Sequence, residues 1–513
     1  MKDKFAKNTE QFIKVAIMIL WTIIMLFIMG TCMLFNVDLT GELNVHYSRD
    51  SIIMNLVWIT AAYIIFTVIY RICRKHSDSR IIAWFSKNKM NICCIVTAAV
   101  AIMLIIWIFM VKFEPVTDQL YGLQIGGELL KGEYNAWNRG GYMDIYPFQN
   151  DFILFDAVLV KIFGSNAYIA FQVINVFFYI VAVVNMYITC RYMFRRNNSV
   201  AIWLACVLFY PFAIYVIFCY GIIIGFALAQ TAVMFLYRYF DRHRLTDALL
   251  CAVMIRLAMM IKTNYSIFLV GICLYLLLDI FIKKRTKNIA AILIIATITV
   301  AGQYADKSLF RYFTGIELSK GMPKVTWVAM GLNDYGNAPG WYDGYSVYTY
   351  NKNNQDYDET SKEAVVHIKQ RMQLLTSSGK KFCRFFVKKL SSEWNNPAWE
   401  CFDIQNRPTH TAHIRAVEAV SDDNNGIYKD ILNVVQTLLN FGIIMYIAYK
   451  WKNINELQIY ELFNAVIMMG AFVFYMFWEA KSQYTLPYYY LLIPYAVMGW
   501  QQLIRGKNNG KTS

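Results

Sequence analysis

Asp118 is the residue of this chain whose position could most directly support chemistry. It lies in the stretch FEPVTDQLYGLQIGGELLKGEY, a few residues beyond a long apolar run. A carboxylate within hydrogen-bond reach of a hydroxyl nucleophile can take up its proton as a new bond forms, which is general base catalysis. Capping of the next helix is the structural alternative for an acidic residue in this place.

Three basic side chains could stabilise a leaving group that departs as an anion, such as a phosphate. Lys262 and Lys481 lie at the ends of apolar runs, where a lysine can also simply reach the membrane interface. Arg256 falls within a run, and a charge at mid-membrane costs about 2.5–3.5 kcal/mol. The alternative to a role at a leaving group is therefore that Arg256 pairs with Glu461 or another buried acid. On an ideal helix Arg256 and Lys262 lie about 240° apart, so they do not face one ligand unless the helix bends.

Other polar side chains are predicted to contact a substrate or to support Asp118. They are Tyr146, Gln149, Glu479 and Tyr484. Glu479 could instead pair with a neighbouring cation and hold the last loop in place. Glu114 and Asp144 are weak candidates to bind a divalent metal together with Asp118, although we expect no resident metal.

The cysteines and histidines do not form a metal-binding motif. No CxxC pair and no Cys/His spacing typical of a zinc site is present in the sequence. His410 and His413 would share a face of a helix, but no third ligand is close in sequence. A disulfide between Cys383 and Cys401 is left open.

The composition is that of a membrane protein. The chain has 513 residues, of which 58% are apolar and 16% are charged, whereas soluble domains average about a quarter charged. The apolar residues form blocks of roughly 20, the length of a helix that crosses a bilayer. Because lipid-exposed backbone must satisfy its own hydrogen bonds, the sequence predicts an all-α polytopic membrane protein.

The basic residues between the apolar blocks predict the orientation. We expect about twelve spans, and the net charge of +15 then comes from connections that all fall on one side. Lys and Arg favour the cytoplasmic side, which places both termini inside. No segment resembles a basic soluble domain, so nucleic acid is not an expected partner. The predicted spans are 15–35, 51–70, 91–112, 167–190, 200–218, 220–239, 246–263, 265–282, 288–305, 431–449, 457–477 and 483–503.

Asp118 then lies on the outer side, in a loop over 113–166. Within this loop, 151–164 is apolar but too short to span, which is typical of a helix in the interface plane. A second such helix is predicted over DQLYGLQIGGELLKG. The outer side also receives 305–429, a small mixed segment with a predicted helix from Glu359 to Trp394. We call 305–429 the outer segment.

These features divide the chain into four parts. The first is a two-helix membrane hairpin over 1–90, and the second is a membrane core over 91–304 that includes the loop 113–166. The outer segment is the third part. A three-helix membrane part over 430–513 is the fourth.

Four stretches resemble segments of the GT-C membrane glycosyltransferases, which include the protein O-mannosyltransferases and the lipid A aminoarabinose transferases. TDQLYGLQIGGELLKGEY resembles their first extracytoplasmic loop, and YPFQNDFILFDAVLVKIFG resembles the segment that follows in bacterial members. RLAMMIKTNYSIFLV is similar to a helix that ends in a basic residue before a new span. FWEAKSQYTLPYYYLLIPYAV resembles a late element with an acidic residue, basic residues and tyrosine. The resemblance covers about 100–503, and the first two spans look like an extension of the common core.

The resemblance implies an inverting glycosyltransferase of GT-C type. Such an enzyme moves a sugar from a polyprenyl phosphate to an acceptor on the outer face, with Asp118 here as the general base. Lys262, Lys481 and Arg256 would then contact the donor phosphate. Some GT-C enzymes use a divalent metal, whereas the protein O-mannosyltransferase type does not require one.

One residue departs from the family pattern and bears on the acceptor. Protein O-mannosyltransferases carry an acidic pair where this chain has Asp118 and Gln119. A cell-wall polymer, teichoic acid, surface polysaccharide or glycolipid acceptor is therefore at least as plausible as a protein hydroxyl. The compact layout predicts an enzyme of the bacterial cytoplasmic membrane with its active site outside.

Two other functions remain as alternatives. A polymerase or ligase of lipid-linked oligosaccharides would also need cations on the outer face. A flippase or transporter of lipid-linked sugars would carry charged residues along several spans. The sequence shows few such residues, chiefly Arg256 and Glu461, which favours chemistry at the membrane surface.

Overall fold

The computed structural model describes residues 2–40, 44–194, 199–335, 338–405, 409 and 426–505. His410 and His413 lie outside these residues. The described part is mainly helical and contains several apolar helices long enough to cross a bilayer, which confirms the prediction of an all-α polytopic membrane protein.

The number of long apolar helices differs from the twelve predicted spans. Among the described residues nine candidate spans meet the length and composition of a membrane helix, or ten if a bent pair is one span. The bent pair, Val200–Val207 and Tyr210–Ile217, turns by 53°. The nine are Asn8–Leu34, Ile52–Lys75, Arg80–Val111, Pro147–Phe194, Ile222–Arg242, Thr263–Lys283, Lys287–Thr314, Gly426–Lys452 and Ile459–Phe477.

Two of the predicted spans are helical but fall outside this set. The helix over 246–263 has only 17 residues, Leu245–Ile261, because it ends before Lys262. The last predicted span divides into Ser482–Tyr490 and Ile493–Arg505, with Pro487 inside the first of these helices. Proline lacks the amide proton that continues a helix.

The helices up to the end of the membrane core are labelled in chain order. They are α1 (Lys2–Leu34), α2 (Ile52–Lys75), α3 (Arg80–Val111), α4 (Asp118–Leu130), α5 (Tyr142–Ile145), α6 (Asn150–Phe163), α7 (Ala167–Phe194), α8 (Ser199–Val207), α9 (Tyr210–Ile214), α10 (Ile222–Arg242), α11 (Leu245–Ile261), α12 (Ser266–Lys283) and α13 (Lys287–Thr314).

The remaining helices belong to the outer segment and the C-terminal part. They are α14 (Val325–Gly331), α15 (Tyr345–Lys352), α16 (Tyr357–Thr376), α17 (Gly379–Trp394), α18 (Cys401–Gln405), α19 (Gly426–Lys452), α20 (Phe463–Phe477), α21 (Ser482–Tyr490) and α22 (Ile493–Arg505).

A short β-hairpin between α1 and α2 was not predicted. Strands β1 (Phe35–Thr40) and β2 (Asn44–Arg49) pair antiparallel, with Phe35 opposite Arg49. The Tyr47 hydroxyl donates a 3.0 Å hydrogen bond to the carbonyl of Lys388. The β-hairpin is therefore attached to α17 of the outer segment.

The first helix also packs into the main core. Trp21 of α1 is fully buried, and its ring centroid lies 4.9 Å from that of Tyr495 and 6.0 Å from that of Tyr446. Aromatic pairs at such distances contribute beyond their buried area. The predicted division at residue 90 is therefore a division of the sequence, whereas the packing is continuous across it.

The two helices predicted in the first outer loop are present as α4 and α6, and they pack against each other. Gly126 of α4 makes this contact feasible, because a Cβ there would lie 2.8 Å from the backbone nitrogen of Ala157 in α6. The packing holds α4, whose first residue is Asp118, against α6. The position of these helices in the interface plane stays a prediction.

The outer segment contains two helices where one was predicted from Glu359 to Trp394. α16 ends at Thr376 and α17 begins at Gly379, so the helix breaks at Ser377 and Ser378. A serine hydroxyl can form hydrogen bonds with the nearby backbone in place of the helical ones, and glycine lacks a Cβ that would restrict the backbone. Both residues therefore favour turns.

Candidate active site

Asp118 is the first residue of α4 and its side chain is exposed. The preceding Thr117 has a φ of 50°, a backbone conformation that non-glycine residues rarely adopt and that often marks a functional site. The next residue, Gln119, is buried, and its Oε1 accepts a 2.8 Å hydrogen bond from the backbone nitrogen of Cys219. These contacts hold the start of α4 against the loop before α10.

Two tyrosine hydroxyls hold the Asp118 carboxylate. Tyr142 donates to Oδ1 at 3.1 Å, and Tyr220 donates to Oδ2 at 3.3 Å. The Nε2 of Gln149 donates to the Tyr142 hydroxyl at 3.1 Å. Burial, together with the Asp118 charge, raises the pKa of Tyr142 well above its ordinary value, so the phenol stays protonated and remains a donor.

Lys262 follows α11 directly and lies within electrostatic range of this carboxylate. Its Nζ lies 4.1 Å from the centroid of the Tyr220 ring and 5.5 Å from that of Tyr484, which are cation–π distances. Burial lowers the pKa of Lys262 to about 7. The positive charge of Lys481 also lowers this pKa, whereas the negative charge of Asp118 raises it. The site therefore contains a lysine whose charge changes near neutral pH.

The turn between α20 and α21 brings Glu479 and Lys481 to the same place. Glu479 is buried, and burial raises its pKa to about 7 while the charge of Lys481 opposes the shift. Asp118 and Lys262 also act on the Glu479 carboxyl. The carboxyl groups of Asp118 and Glu479 and the amino groups of Lys262 and Lys481 thus form one cluster of interacting charges.

Glu400 supports this turn and was not among the predicted site residues. Its Oε1 accepts hydrogen bonds from the Ser482 hydroxyl and the Gln483 backbone nitrogen, each at 2.9 Å. It therefore satisfies a donor at the start of α21 that the helix cannot satisfy itself. Trp399 and Glu400 have φ values of 46° and 65°, so two adjacent non-glycine residues are held in the left-handed region.

A small recess opens beside Lys262, between α10, α20, α21 and the turn that joins α11 to α12. The side-chain Nδ2 of Asn264 donates a 2.8 Å hydrogen bond to the Tyr475 hydroxyl there, and the backbone carbonyl of Asn264 accepts one of 3.0 Å from the Tyr488 hydroxyl. The recess thus presents tyrosine and amide groups next to the cation. Its walls are formed by Ile222, Lys262, Asn264, Tyr265, Tyr475, Gln483, Tyr484, Pro487 and Tyr488.

Most of the predicted site residues come together in the structure. Gln149 contacts Tyr142, and Tyr146 lies within electrostatic range of Asp118 and Glu479. The set that gathers around the carboxylate comprises Asp118, Tyr146, Gln149, Lys262, Glu479, Lys481 and Tyr484.

Arg256 does not join this group. Its guanidinium binds Asp151 of α6 at 3.2 Å and also binds Asp306 of α13. The alternative of a buried ion pair is therefore the one observed, although its partner is not Glu461, which binds Lys450 at 2.5 Å instead. Because two carboxylates already neutralise Arg256, we no longer expect it to bind a donor phosphate.

The two weak metal candidates have other neighbours in the structure. Asp144 accepts a 2.9 Å hydrogen bond from the backbone nitrogen of Gly140, and Glu114 lies within electrostatic range of Tyr168. Across the described ranges no group of three or more His, Cys, Asp or Glu side chains is placed to hold a metal ion. Cys383 is exposed, Cys401 is buried, and neither forms a disulfide.

Comparison of the chain with protein-family models, with curated proteins and with solved structures gives no match. The resemblance to GT-C glycosyltransferases therefore stays a prediction from the sequence, and the argument for function rests on the site itself.

Proposed function

We propose that this protein transfers a sugar from a polyprenyl-phosphate-linked donor to a cell-envelope acceptor on the outer face of the membrane. The observation that carries the proposal is that Tyr220 contacts Lys262 through its ring and the Asp118 carboxylate through its hydroxyl. A base and a cation in one site suit a reaction in which a hydroxyl loses a proton while a phosphate leaves as an anion.

Each group has a part in the proposed step. The acceptor oxygen attacks the anomeric carbon of the donor, and the bond from that carbon to the phosphate oxygen breaks. The proton of the acceptor hydroxyl passes to Asp118, while the electron pair of the broken bond stays on the polyprenyl phosphate. Lys262 and Lys481 stabilise the phosphate, whose negative charge increases as it departs.

The tyrosines give Asp118 its orientation. With Tyr142 and Tyr220 bound to its two oxygens, the carboxylate cannot rotate freely. Each carboxylate oxygen still has a second lone pair, so one of them can accept the acceptor's proton. A fixed base saves the reorganisation that a mobile side chain would need as the bond forms.

The position of Lys262 suits a donor that arrives from the membrane. Lys262 separates α11 from the candidate span Thr263–Lys283. The phosphate of a lipid-linked sugar lies at the membrane surface, with its chain among the helices. The acceptor would be a saccharide or polymer of the envelope, and Gln119, which is buried in the fold, is not available to it.

The decisive experiment measures transfer of radiolabelled sugar from polyprenyl phosphate to envelope material in membranes. Asp118→Asn keeps the shape of the side chain but removes the basic oxygen, so we expect transfer to fall by at least about a hundredfold. The matched control is Asp358→Asn, an exposed carboxylate in the first turn of α16. Donor retention should be similar in all three proteins.

The other outcomes assign the remaining functions. Full activity of Asp118→Asn would remove this carboxylate from the mechanism. If the wild type adds whole lipid-linked oligosaccharides rather than single sugars, the chain is a polymerase or ligase. If it transfers nothing but moves lipid-linked sugars across vesicle membranes, it is a flippase and the proposal is wrong.

A further inference from the structure

Tyr342 reaches the candidate active site from the outer segment. The residue is 37% exposed, so part of its side chain is accessible to a ligand. The charges of Glu479, Asp118 and Lys481 all act on its hydroxyl. Tyr342 therefore adds an aromatic side chain of the outer segment to the group of residues around Asp118.

The backbone on both sides of Tyr342 is held in place. The neighbouring Trp341 is buried, and its Nε1 donates a 2.8 Å hydrogen bond to the Ser392 hydroxyl of α17. On the other side, the Asp343 carboxylate accepts hydrogen bonds from the side chain of Asn333 at 2.7 Å and the backbone nitrogen of Tyr345 at 2.9 Å. Tyr342 is thus a partly exposed side chain on a fixed support.

The same loop is attached to the turn that carries Glu479 and Lys481. The backbone nitrogen of Ala480 donates a 2.8 Å hydrogen bond to the carbonyl of Gly340. The buried Lys389 donates hydrogen bonds to the carbonyls of Gly331 and Trp478, each at 2.6 Å. The distance between Tyr342 and the turn is therefore set by direct bonds between the two segments.

From this arrangement we infer that Tyr342 positions the acceptor and that the acceptor presents a saccharide ring or a polyol chain. An aromatic face packs against the C–H groups of such a molecule, and a phenol hydroxyl can both donate to and accept from its hydroxyls. Lys262 adjoins a candidate span, whereas Tyr342 belongs to the outer segment. The donor and the acceptor then approach Asp118 from different directions.

This inference rests on the proposed function, and its test separates the two. Membranes receive a polyprenyl phosphate that carries a radiolabelled hexose, with a delipidated envelope extract as acceptor. The concentration of extract that gives half-maximal transfer is measured together with hydrolysis of the donor by water. Tyr342→Ala is compared with Tyr348→Ala, which removes a 69% exposed tyrosine of the same segment.

We expect Tyr342→Ala to raise the half-maximal extract concentration about tenfold, the scale of one lost aromatic contact. Donor hydrolysis should be unchanged, and Tyr348→Ala should resemble the wild type. If Tyr342→Ala is not stable in the membrane, Tyr342→Leu removes the ring at similar volume and is expected to show the same rise.

Two results would count against these proposals in different ways. An unchanged acceptor requirement in a stable Tyr342 variant would overturn the role of this residue while leaving the transferase intact. Absence of transfer and hydrolysis in the wild type, with every polyprenyl sugar supplied, would instead overturn the proposed function. A rise in Tyr342→Phe as large as in Tyr342→Leu would assign the contact to the hydroxyl and exclude stacking on the ring.

Discussion

The Nζ of Lys262 lies 4.1 Å from the ring centroid of Tyr220, whose hydroxyl donates a hydrogen bond to Asp118. One tyrosine therefore contacts the cation through its face and the carboxylate through its hydroxyl. The charge of Asp118 also favours the ammonium form of Lys262. In the proposed reaction the cation meets the phosphate of the donor and the carboxylate meets the hydroxyl of the acceptor.

The charge of Lys262 should make donor use depend on pH. Its pKa lies near 7 in the free protein because burial disfavours the ammonium. As pH rises above about 7 the ammonium loses its proton, so kcat/KM for the donor should fall. Glu479, with a pKa also near 7, becomes negatively charged over the same range and adds to the fall.

Lys262→Arg tests this assignment because arginine stays charged throughout this range. We expect the falling limb of the pH profile to shift to higher pH in the variant, even if its maximal rate is lower. Lys320→Arg, at a lysine that lies near the Tyr357 ring instead, is the control and should keep the wild-type profile. An identical falling limb in Lys262→Arg would assign the titration to another group.

Removing one hydroxyl from the carboxylate should slow the chemical step. Tyr142→Phe deletes the 3.1 Å hydrogen bond to Asp118, and a hydrogen bond to a charged group is worth about 1.5–3 kcal/mol. We expect kcat to fall at least about tenfold, with little change in the KM for the donor. Tyr121→Phe is the matched control, because Tyr121 packs 5.6 Å from the Tyr142 ring and is half exposed. Equal rates in the two variants would show that Tyr142 only fills space.

The contact between α4 and α6 should be sensitive to a single methyl group. Gly126→Ala would place a Cβ 2.8 Å from the Ala157 backbone nitrogen, and such overpacking costs about 1–3 kcal/mol. We expect a lower unfolding temperature and slower transfer, because α4 carries Asp118. The adjacent Gly127→Ala would meet only Val160, at 3.7 Å, so it should be neutral or slightly stabilising. A reversed order of stability would contradict the observed packing.

Much of the site could be predicted because membrane topology restricts where charged residues can lie. Asp118, Lys262 and Lys481 each come at an end of an apolar block, and predicted orientation alone put all three on one side. The tyrosines were harder to select. Tyr220 is one of 36 tyrosines and is the first residue of the predicted span 220–239. Nothing in its sequence neighbours indicates the hydrogen bond to a residue 102 positions earlier.

Long-range contacts also explain why the partners of Arg256 were not predicted. The partners of Arg256 are 105 and 50 residues away, so the sequence indicated that a buried partner was needed without showing which one. By contrast, the β-hairpin after α1 does show the alternation of apolar and polar residues that is typical of strands, in FNVDLT and NVHYSR, and the prediction missed this signal. Helix existence was predicted well, whereas breaks at prolines and serines moved several boundaries.

The contact of Glu400 with α21 gives a final prediction about how the turn is positioned. Glu400→Ala removes the acceptor for Ser482 and Gln483, and loss of a helix cap costs about 0.5–2 kcal/mol. Because Lys481 directly precedes this helix, we expect transfer to fall more than the change in unfolding temperature alone would explain. Glu400→Gln keeps an oxygen that can accept both bonds and should restore most of the rate.

A second cap distinguishes positioning from stability. Asp356 accepts a 2.8 Å hydrogen bond from the Glu359 backbone nitrogen at the start of α16, and Asp356→Ala should lower the unfolding temperature with unchanged transfer. If Glu400→Ala and Asp356→Ala reduce transfer equally for the same loss of stability, Glu400 is a structural cap only. A larger loss in Glu400→Ala, with rescue by Glu400→Gln, would show that the start of α21 must be held in register for Lys481 to meet the donor phosphate.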